Sequence, residues 1–317
     1  MHEIKKLLWD DLNDGLNYPE KRPLLAHYTS IDTLEKILKK NELWLSNPLY
    51  MNDYTELSFG MGQGYRLFTQ SKELHQAFEV QSQYDHLLAS FQRLFIRYTE
   101  DHVFNTYLTC FSEHCVDDND GRLSMWRGYG DSGKGAALVI DSAKINFHES
   151  SPLIVSRVEY QTTHDRINWL EKKISAIADW IKNRVEPLSN NELEKIAYIW
   201  LERLKIFSLL TKHSGFNEER EWRIIYMSDR DPEEKLSKML SYIINGNGIE
   251  PKLKLNPEPL YEVIGDNRLI ANLTDRIIIG PSISTKFTAK SICRMLQHLN
   301  HDQLVEKVKP STIPYRQ

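Results

Sequence analysis

Two short stretches hold the residues best suited to chemistry. In "EEREW", residues 218 to 222, Glu219 and Glu221 flank one arginine and Arg223 follows at the next alternate position. If this run is a strand, Glu219, Glu221 and Arg223 fall on one face and Trp222, Ile224 and Tyr226 on the other. Carboxylates crowded this way repel, which raises the pKa of one of them and suits it to proton transfer or to stabilising a cationic centre. A salt bridge between Glu221 and Arg223 on a solvated sheet face is the plainer account. The second stretch is "LLAHYTS", residues 24 to 30, where His27 and Tyr28 close a short apolar run. Strand ends beside helix starts are common ligand sites, although a lone strand histidine is more often a hydrogen-bonded structural residue.

Elements must position these groups. Ser30 is placed to cap a helix carrying Ile31, Leu34, Ile37 and Leu38 at helical spacing, Asn41 to stop it, and Leu43 to Ser46 to form a second strand. Asp53 and Glu56 have the spacing of a capping box, and residues 61 to 100 read as mostly helical, with Tyr84, Leu87, Leu88, Phe91, Leu94, Phe95 and Tyr98 as a packing stripe. "VFNTYLTCFSE", residues 103 to 113, alternates as a strand and brings Ser112 near its end. The acidic "VDDND" after it lacks the register of a calcium loop. "MWRGYGDSGKGAALVID" sets Trp126 and Tyr129 among glycines before a buried strand. That order is the reverse of a phosphate loop, so the segment offers aromatic groups and close approach rather than phosphate binding. Residues 162 to 212 read as two helices split near Pro187. "YEVI" at 261, "DRIIIGPSI" at 275 and a helix over 285 to 299 complete the pattern.

The chain of 317 residues is 41% hydrophobic and 26% charged, enough for a substantial core. A net charge of -4 argues against broad binding of nucleic acid by charge alone. Three cysteines without a CxxC pair, and no apolar leader or spanning segment, predict a cytoplasmic protein with no membrane partner. The fold class predicted is α+β, one domain over residues 1–317 with helical insertions at about 60–100 and 162–212.

The blocks "HYTSIDTLEKILKKNELWLSNPLYMND", "TCFSE", "MWRGYGDSGKGAALVID", "EEREWRIIY" and "STIPYR" resemble the domain of unknown function 2971 family, which is bacterial and associated with mobile and defence loci. More distantly, the order of strand with His-Tyr, helix, strand, serine-bearing strand, aromatic turn and Glu-x-Glu strand is similar to the core of ADP-ribosyltransferases. That resemblance implies a mixed-sheet core of this type and NAD as substrate. It implies catalytic roles for Glu221, Glu219 and His27, and NAD contacts from His27, Tyr28, Ser112, Trp126, Tyr129 and Arg223. Glu221 would grip the ribose and stabilise the oxocarbenium-like centre, with Glu219 facing an acceptor that is protein, nucleic acid or water. His27, Ser112, Tyr129 and Glu221 must then line one cleft, and the reading requires His27 and Glu221 on the same face of the sheet. Acting as a toxin or antiphage effector would also call for a defence-system partner protein. Two other readings stand beside it. One is a nuclease binding metal through Asp53, Glu56, Asp117 and Glu221. The other is a noncatalytic module that binds a nucleotide or protein, with the helical hairpin as its interface.

Overall fold

The computed structural model describes residues 1–12, 18–51, 54–145, 151–245, 248–257 and 269–315. Asp53 and the "YEVI" run at 261 lie outside the described residues. In chain order the helices are α1 (His2–Leu8), α2 (Ile31–Lys40), α3 (Tyr54–Gln70), α4 (Lys72–Gln76), α5 (Gln81–Glu100), α6 (Leu123–Gly128), α7 (Thr163–Lys182), α8 (Asn190–Leu210), α9 (Ile270–Leu273) and α10 (Lys286–His298). The strands are β1 (Leu24–Thr29), β2 (Leu43–Ser46), β3 (Thr106–His114), β4 (Ala136–Asp141), β5 (Leu153–Arg157), β6 (Glu159–Gln161), β7 (Thr211–His213), β8 (Glu221–Met227), β9 (Leu240–Asn245), β10 (Gly248–Leu255), β11 (Thr274–Ile279) and β12 (Val308–Pro310). Helices and a mixed sheet in one chain make the class α+β.

Where the sequence predicts one domain with two helical insertions, the chain divides into two compact units, and both insertions fall within the first. That unit comprises residues 1–17, 47–106 and 158–217. The reason is that its helices bury their apolar stripes against one another. Phe68 of α3 stacks on Trp200 of α8 with ring centres 5.6 Å apart, and both are fully buried along with Leu87 and Phe91 of α5. Ser189 and Glu192 close a capping box at the start of α8.

The second unit comprises residues 18–46, 107–157 and 218–317 and holds the ten-stranded sheet. Its strands run β12-β11-β4-β1-β3-β2-β10-β9, with β8 also paired to β3 and β5 paired to β8. Within the sheet β1–β3, β1–β4, β2–β3, β2–β10, β9–β10, β4–β11 and β5–β8 pair antiparallel, and β11–β12 pairs parallel. The sheet buries both faces. On one lie Leu25, Phe111, Leu138, Ile140, Trp222, Ile224 and Tyr226, packed with Leu34, Ile37 and Leu38 of α2 and Ile292 and Leu296 of α10. On the other, Ala26, Tyr28, Ala137, Val139 and Ile278 pack with Met125 and Trp126 of α6. Each large apolar side chain buried this way contributes about 1.5–3 kcal/mol.

The first strand-helix-strand unit forms as its residues dictate. The Ser30 hydroxyl accepts the Thr33 N–H at 3.1 Å, and Asn41 takes the left-handed conformation (φ 52°, ψ 43°) that ends α2.

Candidate functional site

β1 carries His27 and Tyr28 into a place where the sheet opens. Its pairing with β4 runs the whole strand, from Leu24↔Asp141 to Thr29↔Ala136, whereas its pairing with β3 runs from Leu24↔His114 only to Ala26↔Ser112. Beyond that point β1 and β3 part. Continued antiparallel register would set Tyr28 opposite Cys110. Instead the His27 imidazole turns to the Cys110 carbonyl, with Nδ1 3.1 Å from the oxygen. A carbonyl only accepts, so Nδ1 carries the proton and the neutral ring leaves Nε2 as an acceptor. Burial holds the His27 pKa below the ordinary value, opposed by the bond to Cys110.

Tyr28 points to the opposite face and is buried. Its ring meets Trp126 nearly edge-on at 4.8 Å, and its hydroxyl accepts the Arg122 backbone N–H at 2.9 Å. Burial is the main cause that pushes its phenol up to about 12. Trp126 is fully buried, and its indole N–H donates to the Asp120 carbonyl at 2.8 Å. The NAD contacts expected of Tyr28 and Trp126 are therefore corrected: both side chains are enclosed by the chain itself. The same holds for three of the glycines expected to admit a ligand, Gly130, Gly133 and Gly135, while Gly128 has open space. A side chain at Gly135 would enter the Thr29 and Gly130 carbonyls, and Gly133, at φ 80°, lies against Tyr315 and Ser282.

The Glu-x-Glu segment is lashed to β3. The Ser112 hydroxyl donates to the Glu219 carbonyl at 2.6 Å, the Glu113 N–H to the Arg220 carbonyl at 2.8 Å, and Arg122 Nη1 to the Glu218 carbonyl at 3.2 Å. Arg122 Nη2 also reaches the Glu113 carbonyl at 3.0 Å. Tyr129, exposed on its loop, donates its hydroxyl to Glu219 Oε1 at 3.0 Å. The structure thus brings Ser112, Tyr129 and Glu219 together.

It does not place Glu219 and Glu221 on one strand face. Arg220 adopts φ 43°, in the left-handed region, and Glu219 ends a 3-10 turn (Ser214–Glu219) before β8 begins. The alternation that would pair the two carboxylates is broken at the residue between them. Glu219 is half-buried, whereas Glu221 is only 5% exposed and is gripped by Arg223, Nε to Oε1 at 2.7 Å and Nη2 to Oε2 at 3.2 Å. This salt bridge is buried, not on a solvated face. Within β8 the predicted alternation of Trp222, Ile224 and Tyr226 against Glu221 and Arg223 holds.

His27 and Glu221 leave opposite faces of the sheet. His27 lies across from Leu138 on the face of Leu25 and packs on Phe111 at 5.5 Å, the face that also carries Trp222. Glu221 precedes Trp222 in the strand and points the other way. The common cleft expected for His27, Ser112, Tyr129 and Glu221 is corrected accordingly.

Sequence reasoning missed Arg122 and Glu113. Glu113 receives Lys21 Nζ at 3.0 Å on both oxygens and Trp222 Nε1 at 2.9 Å. Burial alone would raise its pKa, but the bonds from Trp222 and Lys21 hold it below the usual carboxylate range. Glu113 stands in the "TCFSE" block, so its position carried a signal. Arg122 had none, because its partners are distant in sequence.

For the nuclease reading, no group of three or more potential metal-ligating side chains forms among the described residues. Glu56 is ion-paired with Arg166 at 2.6 Å, and Asp117 is exposed. No described helix is long and apolar enough to cross a membrane.

The site therefore belongs to a mixed α+β unit in which a glycine-rich loop, an opened strand pair and an acidic strand entry converge. Residues 125–224 match the family described as protein of unknown function (DUF2971), a span that runs from α6 into β8 and includes Tyr129, Glu219, Glu221 and Arg223. No curated protein and no solved structure matches the chain.

Proposed function

We propose that the sheet-bearing unit binds NAD where β1 and β3 part and breaks its nicotinamide glycosidic bond, passing ADP-ribose to an acceptor or to water. The observation that carries this reading is the tying of Glu219 and Arg220 to β3, and of Glu218 to Arg122, beside that opening, with a left-handed Arg220 holding two carboxylates in different settings. Strained backbone of this kind gathers at functional sites. In the reaction the ribose C1′–nitrogen bond breaks and its electron pair leaves with nicotinamide. The acceptor oxygen or nitrogen then bonds C1′ and gives up its proton.

Glu221, as enclosed as Tyr28 and ion-paired with Arg223, does not touch the ribose and acts on the ribosyl cation only through its charge, and the half-exposed Glu219 takes the acceptor's proton. His27, Ser112, Tyr129 and Glu221 do not share the single cleft that the resemblance required, so the reading rests on the two carboxylates and not on that resemblance: the His27 side chain leaves the other face of the sheet and takes no part in the reaction. Its part is to hold the Cys110 carbonyl where the strands separate. The resemblance to a defence-associated family supports an effector role.

A second reading, a noncatalytic nucleotide-binding module, is favoured by the closed Glu221–Arg223 pair, in which each charge already meets its opposite. Incubation with NAD labelled separately in its nicotinamide and adenosine halves, in a bacterial lysate with chelator present, separates the two. Release of nicotinamide that is lost in Glu221→Gln supports the first. NAD binding without release under any lysate supports the second, and neither binding nor release removes NAD from both.

A further inference from the structure

The sheet ends differently at its margins. β12 is three residues long and carries Lys309 and Pro310, devices that discourage a further strand, and β5 carries Arg157 with no residue fully exposed. β9 has neither protection. Its sequence, Leu-Ser-Tyr-Ile-Ile-Asn, is free of charge and proline, and it closes the order β2-β10-β9 with no second partner strand among the described residues.

One face of this margin is apolar, buried at Leu253 and bare toward Ile244 and Ile249. Antiparallel pairing with β10 sets Ile244 beside Ile249, Tyr242 beside Pro251 and Leu240 beside Leu253. Ile244 is 85% exposed, Ile249 59% and Tyr242 56%. Three large side chains grouped on a sheet margin differ from the scattered apolar residues of an ordinary surface.

We infer that β9 pairs antiparallel with β9 of a second copy of this chain, joining two sheets edge to edge. Charge selects this occupant. Glu250 and Lys252, the nearest charges on β10, neutralise each other at 3.1 Å and alternate onto the opposite face, so among the described residues of β9 and β10 the apolar strip carries no charge to attract a charged peptide. An uncharged strand matches it, and a two-fold axis supplies that strand from the protein itself with Tyr242 and Ile244 packing across the axis. A stable interface buries roughly 1,200 Å² or more, and one strand edge with three exposed apolar side chains makes a weak dimer.

Sedimentation of the full chain at low and high micromolar concentration tests this. The expected result is a mass that doubles as concentration rises, with β9 amides gaining protection from hydrogen exchange in step. Ile244→Lys and Ile249→Lys should each stay at monomer mass while keeping the wild-type circular dichroism. Val185→Lys, which adds the same charge at a 99% exposed loop position, should dimerise as the wild type does. A wild type that is monomeric throughout overturns the inference, whether β9 then takes a foreign strand or none. Dimers that persist in both β9 variants overturn it as well.

Discussion

Arg223 holds the Glu221 carboxylate at two points, Nε on Oε1 and Nη2 on Oε2, with both side chains buried at the start of β8. Such a pair is weak evidence for stability by itself, but removing one partner leaves the other charge in a poor solvent. Glu221→Gln should therefore lower unfolding free energy by about 3 kcal/mol. Glu221→Gln with Arg223→Met removes both charges and should regain most of that loss in urea denaturation. Nicotinamide release separates structure from chemistry. If Glu221 stabilises the ribosyl cation, both variants lose on the order of 100-fold in turnover, and the double variant stays inactive although refolded. Activity restored together with stability would make the carboxylate a structural partner of Arg223 only.

His27 makes the stability of the sheet-bearing unit depend on pH. Its folded pKa lies below the unfolded value of about 6.5, because burial disfavours the imidazolium by more than the bond to the Cys110 carbonyl favours it. Above pH 6.5 both states are neutral and there is no cost. As pH falls from there toward the folded pKa, the unfolded chain takes up a proton that the folded chain does not, so stability falls by at most about 1.4 kcal/mol per pH unit. His114, also shifted down mainly by burial, acts in the same direction. Comparing wild type with His27→Gln isolates one of the two: the variant's stability curve should be flatter below pH 6.5. Parallel curves would mean that His27 ionises as freely in the fold as outside it.

The parts of this fold that could be read in the sequence are those encoded over a few residues. Ser30 and Asn41 announced the two ends of α2, alternation marked Glu221 to Tyr226 as strand, and helical periodicity placed α5, α7 and α8. The strand predicted from 103 begins at Thr106, because residues 102–105 form a 3-10 turn. What failed depended on distant partners. Alternation assumes an unbroken strand, so it set Glu219 and Glu221 on one face, and nothing local marks the left-handed Arg220 whose carbonyl takes the Glu113 N–H. Glycine suggested room at residues 128 to 135, but the space at Gly130 belongs to Trp126 and that at Gly133 to Tyr315. The β9–β10 pair had no place in the sequence reading, since its end at Ile244 and Ile249 is exposed and among its described residues only Leu253 and Leu255, at the far end of β10, reach the core.

Gly135 and Gly128 should respond oppositely to alanine. At Gly135 the new Cβ meets backbone, the Thr29 carbonyl and the Gly130 carbonyl, neither of which yields as a flexible side chain does. Gly135→Ala should cost about 3 kcal/mol or more and loosen the turn that carries Tyr129. Nothing lies within 4 Å of a Cβ at Gly128, the last residue of α6, so Gly128→Ala should gain roughly 0.5 kcal/mol from the reduced freedom of the unfolded chain. Thermal denaturation of the two variants checks both signs. A neutral Gly135→Ala would mean that the turn moves away from β1 without loss.

Glu219 gives the most selective test of how the Glu-x-Glu segment divides its work. It is the more accessible of the two carboxylates and is held by Tyr129, whose exposed hydroxyl donates to Oε1 at 3.0 Å. A single bond at such a site contributes about 1 kcal/mol or less, so Tyr129→Phe and Glu219→Gln should fold as the wild type does. Their chemistry should differ from that of Glu221→Gln. Glu219→Gln keeps the charge near the ribose, so nicotinamide release to water should persist, while transfer of label to an acceptor falls by about tenfold or more for want of a base. Tyr129→Phe frees the Glu219 carboxylate to reorient and should give a smaller loss of the same kind, with transfer reduced more than hydrolysis. The ratio of labelled acceptor to free ADP-ribose measures this directly. Equal losses of transfer and hydrolysis in Glu219→Gln would place that carboxylate with Glu221 in one undivided role, contrary to the different settings that Arg220 imposes on them.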